Sequence, residues 1–182
     1  MNGAASSGRL PGNPMMWVLI ASEMAVFGAG LAGYAGARIL DFETFRQSQA
    51  LLDWRAGALN TAVLVASGLA AALAVTARKH GPTTSPRLLL ALAGSLGLIF
   101  MAVKIAEYAA KAAAGIDIDT NDFFTLYYLL TGFHLAHVIF GLVLLAIAAI
   151  WTDVETMETC VAYWHMVDLV WLLIFPVLYL AP

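Results

Sequence analysis

Ionisable residues stand inside apolar stretches of this chain, and their types and spacing limit the chemistry open to them. His165 and Asp168 lie three residues apart in Tyr163-Trp164-His165-Met166-Val167-Asp168-Leu169-Val170-Trp171, with a further apolar run to Leu180. His134 and His137 repeat that spacing, and Glu23 stands in a third stretch. Positions i and i+3 share one face of a helix, and an ionisable residue inside an apolar span marks a functional site by default. Three chemistries compete. The first is metal or haem ligation, since His-x-x-His and His-x-x-Asp supply donors. Against it, the Glu-x-x-His pair of di-iron bundles is missing, and two histidines on one face cannot hold a haem from both sides, though His134 with His165 could. The second is a proton or ion path with Glu23 as its best member. The third is a structural hydrogen-bond network of His134, His137, His165 and Asp168. A neutral histidine both donates and accepts, so it can satisfy a buried aspartate and tie the fourth span to the fifth. The third reading asks least of the sequence. No Ser/His/Asp set has an oxyanion donor, and there is no phosphate loop. Cys160 is the single cysteine, so no intrachain disulfide forms. Gly94-Ser95-Leu96-Gly97 reads as packing. No catalytic, metal or cofactor site of its own is expected.

The elements that position these residues follow from composition. The chain has 182 residues, 62% of them hydrophobic and 12% charged. A soluble domain is about half apolar and a quarter charged, so the sequence describes an integral membrane protein. Nine basic against twelve acidic residues give net −3, which speaks against a nucleic-acid partner. A span needs roughly 20 apolar residues. Five such stretches define an all-α bundle: a tail over 1–13, then one membrane domain over 14–182 with helices at about 14–40, 57–79, 87–113, 122–151 and 158–180. The tail has no apolar core of a cleaved leader, so the first span is expected to act as an uncleaved signal. Asn13-Pro14 is a helix start, and Thr120 or Asn121 a cap for the fourth span. Residues 41–55 read as a hydrophilic connection with Trp54 as an interfacial anchor. Small residues on the first span, Gly28 with Ala32, Ala29 with Gly33 and Ala32 with Gly36, read as a packing face.

At 1.5 Å per residue, Glu23, His134, His137, His165 and Asp168 all fall ~8–15 Å from one membrane surface. Lys104, Glu107 and Lys111 fall near the opposite surface, where a surface-side ion pair is expected, Glu107 before Lys111 being the favourable order. Basic residues are divided four against four between the two sides. The concentrated loop 78–87 tilts the orientation towards a cytoplasmic N-terminus and a periplasmic C-terminus.

Five segments carry a family resemblance. Tyr163 to Trp171 resembles the last-helix signature of subunit III of the haem–copper oxidases. Thr131-Gly132-Phe133-His134-Leu135-Ala136-His137-Val138-Ile139-Phe140-Gly141 is similar to the signature of the preceding helix. Leu59-Asn60-Thr61-Ala62-Val63-Leu64-Val65-Ala66-Ser67-Gly68, Ser22-Glu23-Met24 and Lys104-Ile105-Ala106-Glu107-Tyr108 resemble further family segments, in family order. The resemblance implies the five-helix form of the subunit III bundle, without two N-terminal helices of the longer form. It implies a non-catalytic accessory subunit in the bacterial inner (cytoplasmic) membrane. Its partner would be a haem-bearing catalytic subunit of a respiratory reductase or oxidase, which holds all haem and metal. It further implies phospholipid in a cleft between the first two helices and the other three, with Glu23 as the cleft carboxylate. His134, His137, His165 and Asp168 carry over as signature residues without an established chemical role. Thr120-Asn121-Asp122-Phe123-Phe124 and lysine at 104 resemble the E-type accessory branch of nitric oxide reductase, so that complex is the expected one. Subunit III of a cytochrome c or quinol oxidase is the alternative, and a free-standing proton carrier using Glu23 the second alternative.

Overall fold

A computed structural model describes residues 13–81 and 85–181. Residues 1–12 of the tail, with Arg9, and residues 82–84 of the basic loop lie outside the described residues. Five helices are long and apolar enough to cross a membrane: α1 (Pro14–Leu40), α3 (Trp54–His80), α4 (Pro86–Ala113), α5 (Asp122–Ile150) and α6 (Val154–Phe175), which continues as a π-helical turn, Pro176–Leu180. Their starts follow from local chemistry. Asn13, Asp53, Asn121 and Asp153 each accept a backbone N–H of the first turn through the side chain, the role in which Asn and Asp excel. α6 starts at Val154, four residues before the expected start at about 158, because Asp153 caps it.

The connection at 41–55 holds an unforeseen helix, α2 (Phe42–Gln49). Asp41 caps it through Thr44 N–H, and Arg46 and Gln47 both hold Glu43. Its single inward ring, Phe45, packs edge-on against Tyr34 and Phe123, with centroids at 5.3 and 5.6 Å. Eight residues are too short to give a clear period, so polarity alone hides the helix.

α6 is the hub. Some 56% of its apolar window is buried against 6% for α1. α3 packs along α4 and α6, and α5 along α4 and α6, while α1 touches mainly α5 and α6. The first two spans therefore do not stand off as a pair from the other three; a groove separates them from each other instead. The small-residue face of α1 is also not a packing face within the chain, for a Cβ at Gly28, Gly33 or Gly36 would meet nothing within 4 Å.

The centre is built on Trp164, fully buried. A Cβ at Gly97 would sit 2.8 Å from its Cη2 and one at Gly141 2.6 Å from its Cε3, so both glycines are needed for α4 and α5 to close on the indole. The basic ends of the α3–α4 loop serve α5: Arg78 Nε donates to Thr152 O at 2.6 Å and Arg87 Nε to Ala149 O at 3.1 Å. Ala149 O is an orphan carbonyl of the last turn of α5 and Thr152 O lies just past its cap at Trp151, the end of a helix where cations are favoured.

Candidate functional site

The polar residues of the apolar spans resolve into four separate arrangements rather than one layer network. The first joins α1 to α5. His137 Nε2 lies 3.0 Å from Glu23 Oε2, and His137 Nδ1 lies 2.8 Å from Phe133 O. A carbonyl only accepts, so Nδ1 carries a proton. The Nε2···Oε2 contact must then hold one more, either on the ring opposite a carboxylate or on the carboxyl opposite a neutral ring. Phe27 packs edge-on to His137 at 5.2 Å. Leu19, Ala136, Phe140 and Tyr163 complete a membrane-facing depression of about 300 Å³ around the pair. Tyr163 comes from α6 and was not singled out by spacing.

His134, one turn from His137, takes no part in this hydrogen bonding, though Phe27 packs edge-on to it as well at 6.3 Å. It is fully buried, and among the described residues neither ring nitrogen has a hydrogen-bond partner. Its neighbours are rings: Phe100 edge-on at 5.6 Å and Trp171 tilted at 5.3 Å. The expected tie from His134 to the α6 signature is therefore absent; apolar ring packing replaces it.

The α6 signature instead binds α3. Trp164 Nε1 donates to Ser67 Oγ at 3.0 Å, Ser67 Oγ donates to Ala93 O at 2.7 Å, and Trp171 Nε1 donates to Thr61 Oγ1 at 3.0 Å. Asp168 presses its Oδ2 against the bare Gly68 backbone of α3. Among the described residues its ionisable partner is its own helix's His165, at 3.7 Å. The expected network linking the fourth and fifth spans is thus corrected to a second-to-fifth seam. The reason is rotational: position 168 shares a face with 164 and 171, and that face meets α3. Ser67 and Thr61 lie in the quoted family segment, but only packing shows which indole each meets.

The last arrangement is the densest. Lys104 Nζ donates to Glu107 Oε2 at 3.0 Å, Tyr127 Oη at 3.0 Å and Tyr179 Oη at 2.6 Å. Tyr127 and Tyr179 each donate to Glu107 Oε1 at 2.9 Å. Lys111 stands 3.8 Å from Glu107. These residues do pair, and the pairing is enclosed between helices: the Lys104 side chain is 1% exposed and that of Glu107 8%. Pro176 explains the enclosure. It has no N–H for the α-helical ladder, the backbone widens into a π turn closed by Ala181 N–H to Pro176 O, and Tyr179 reaches the lysine. Sequence reading missed both tyrosines.

The groove between α1, α3 and α6 has a volume of about 420 Å³ and is lined mainly by apolar side chains, with Lys79, Glu158 and His165 among them. Among the described residues no three His, Cys, Asp or Glu side chains gather closely enough to hold a metal ion.

The pattern of the family described as Cytochrome c oxidase subunit III matches residues 49–181. The chain is 29% identical over 170 residues to a protein of Nocardia farcinica named probable cytochrome c oxidase subunit 3, covering 89% of this chain and 84% of that protein. It is 31% identical over 186 residues to a protein of Aeropyrum pernix named heme-copper oxidase subunit I+III, covering 91% of this chain but only 22% of that protein. A Buchnera aphidicola protein named cytochrome bo(3) ubiquinol oxidase subunit 3 is 24% identical, with 91% of this chain and 84% of that protein covered. With its all-helical five-span bundle and a family match across most of its length, this multi-pass membrane chain belongs to the cytochrome c oxidase subunit III family.

Proposed function

We propose that the chain is the accessory third subunit of a haem–copper terminal oxidase, seated beside a haem-bearing catalytic subunit that performs the redox chemistry. The family match over residues 49–181 carries this reading. A relative whose name joins subunits I and III in one chain supports subunit I as the partner. The relatives are named for oxidases of cytochrome c or ubiquinol, so an oxidase takes precedence over the nitric oxide reductase expected from lysine at 104. That lysine has a local reason here, as the centre of the Tyr127–Glu107–Tyr179 cluster. A free-standing proton carrier gains nothing from the geometry: beyond His137 the next histidine, His134, makes no hydrogen bond among the described residues. We place the subunit in a bacterial inner membrane with a cytoplasmic N-terminus, and assign phospholipid to the depression around Glu23.

The test is affinity purification of the tagged chain from its native membrane. The reading expects a co-purifying partner with a reduced-minus-oxidised haem spectrum and oxygen consumption. Isolation without any haem protein, under detergent that keeps other respiratory complexes whole, overturns it. A partner that reduces nitric oxide and not oxygen moves the chain to the other branch.

A further inference from the structure

The groove between α1, α3 and α6 runs from a polar membrane-surface end to a histidine at its deep end. Trp17 and the Lys79–Glu158 ion pair stand at its membrane-surface end. Two turns deeper, about 10 Å below Glu158, the His165 side chain lines the groove and is 45% exposed. Hydrocarbon offers no partner to a ring nitrogen. His165 Nδ1 faces Asp168 Oδ2 at 3.7 Å, which favours the tautomer protonated at Nδ1 and leaves Nε2 as an acceptor. Asp168 Oδ1 is itself buried without a partner. Between the two ends Ala72 and Ala162 leave room along apolar walls. A volume of about 420 Å³ falls within the ~300–1,000 Å³ of small-ligand sites.

These features select the occupant. An acceptor at depth needs a donor that is cheap to bring there, which means a neutral hydroxyl. The carboxylate behind His165 opposes a phosphate or fatty-acid head. A phospholipid keeps its head at the surface, where Lys79 and Glu158 already pair, and leaves His165 bare. We propose that this groove binds a membrane hydroquinone, a ring hydroxyl donating to His165 Nε2 and the apolar tail leaving between α1 and α3 into the bilayer. Asp168 acts through the imidazole as a positioning residue. The chain stores and orients the hydroquinone; no electron transfer is assigned to it.

The full-length chain, immobilised in detergent, is equilibrated with decylubiquinol or decylubiquinone, washed, and the retained ligand extracted and quantified. Expected are saturable retention near one decylubiquinol per chain, weaker retention of the quinone, and at least a tenfold loss in both His165→Leu and the groove-filling Ala72→Phe, with His165→Gln keeping most of it. Asp168→Leu should bring hydroquinone and quinone retention together, whereas a purely structural loss lowers both in proportion. Equal retention by wild type, His165→Leu and Ala72→Phe overturns the proposal. So does full displacement by equimolar dioleoyl phosphatidylglycerol or 1-decanol, which would make the groove a general lipid site. The readout needs no catalytic partner, so its failure is separable from that of the oxidase assignment.

Discussion

The indole nitrogen of Trp164 donates to the hydroxyl of Ser67, 3.0 Å away across the α6–α3 seam, and that hydroxyl in turn donates a hydrogen bond to Ala93 O on α4. One serine thus joins three helices at the tryptophan that Gly97 and Gly141 admit. Ser67→Ala should strand the buried N–H and cost about 0.6–2 kcal/mol, the range of interhelical hydrogen bonds in membranes. Gly141→Val should cost about 1–3 kcal/mol by overpacking. Reversible unfolding in mixed micelles measures both; a Ser67→Ala chain as stable as wild type would remove the seam from the account.

Lys104 gives a sharper contrast. Removing it as Lys104→Met leaves Glu107 buried beside two tyrosine hydroxyls, with only Lys111, 3.8 Å away, in partial compensation. Breaking a buried pair costs about 3–5 kcal/mol, while apolar replacement of both partners is often near neutral. The double variant Lys104→Met with Glu107→Met should therefore be more stable than Lys104→Met alone. The same micelle titration decides, and a double variant weaker than the single one would show that the tyrosines, not the ion pair, organise the cluster.

Glu23 and His137 form a polar link between α1 and α5, and α1 has little else buried: Phe27 and Tyr34 are its buried residues. Glu23→Leu should loosen α1 and raise amide hydrogen exchange around residues 20–27, leaving α3 and α4 protected. Glu23→Gln, which can still bond the ring, should stay near wild type. Uniform exchange across all helices in Glu23→Leu would mean global destabilisation instead.

Asp153 sets a pH dependence outside the membrane spans. The Thr156 backbone N–H holds its carboxyl below the usual carboxylate value. The sign follows: a folded-state pKa below the unfolded one gives stability that is present above ~4 and is lost as pH falls through the folded value. Asp153→Ala should lower the melting temperature at pH 7 and have little effect near pH 2. An equal loss at both pH values would contradict the cap's charge dependence.

The bundle was legible because a hydrocarbon solvent imposes a length and a polarity on each span. Five runs of about 20 apolar residues leave few other structures. The cap at Asn13 was legible for the same kind of reason, since it acts within its own first turn, while the sequence left Thr120 and Asn121 open and the structure selects Asn121. α2 was not, because a helix of eight residues, six of them polar, carries its one inward ring, Phe45, without a readable period. Depth counting brought Glu23 and His137 to one level, and they meet; it brought His165 and Asp168 to that level too, and they face another helix.

Sequence alone thus determined the number of spans, the membrane setting and the family, all properties of local composition and ordered motifs. The tertiary structure decided the pairing of every polar group. Depth along a helix follows from counting at a fixed rise, but the direction a side chain faces depends on how helices rotate and cross. That rotation is settled by close contacts such as Trp164 against Gly97 and Gly141, and by the π turn that brings Tyr179 to Lys104. For that reason His134 looked like a network member and is packed among rings, while Tyr127 and Tyr179, silent in the sequence, and Ser67, quoted there without a partner, hold polar bonds of the core.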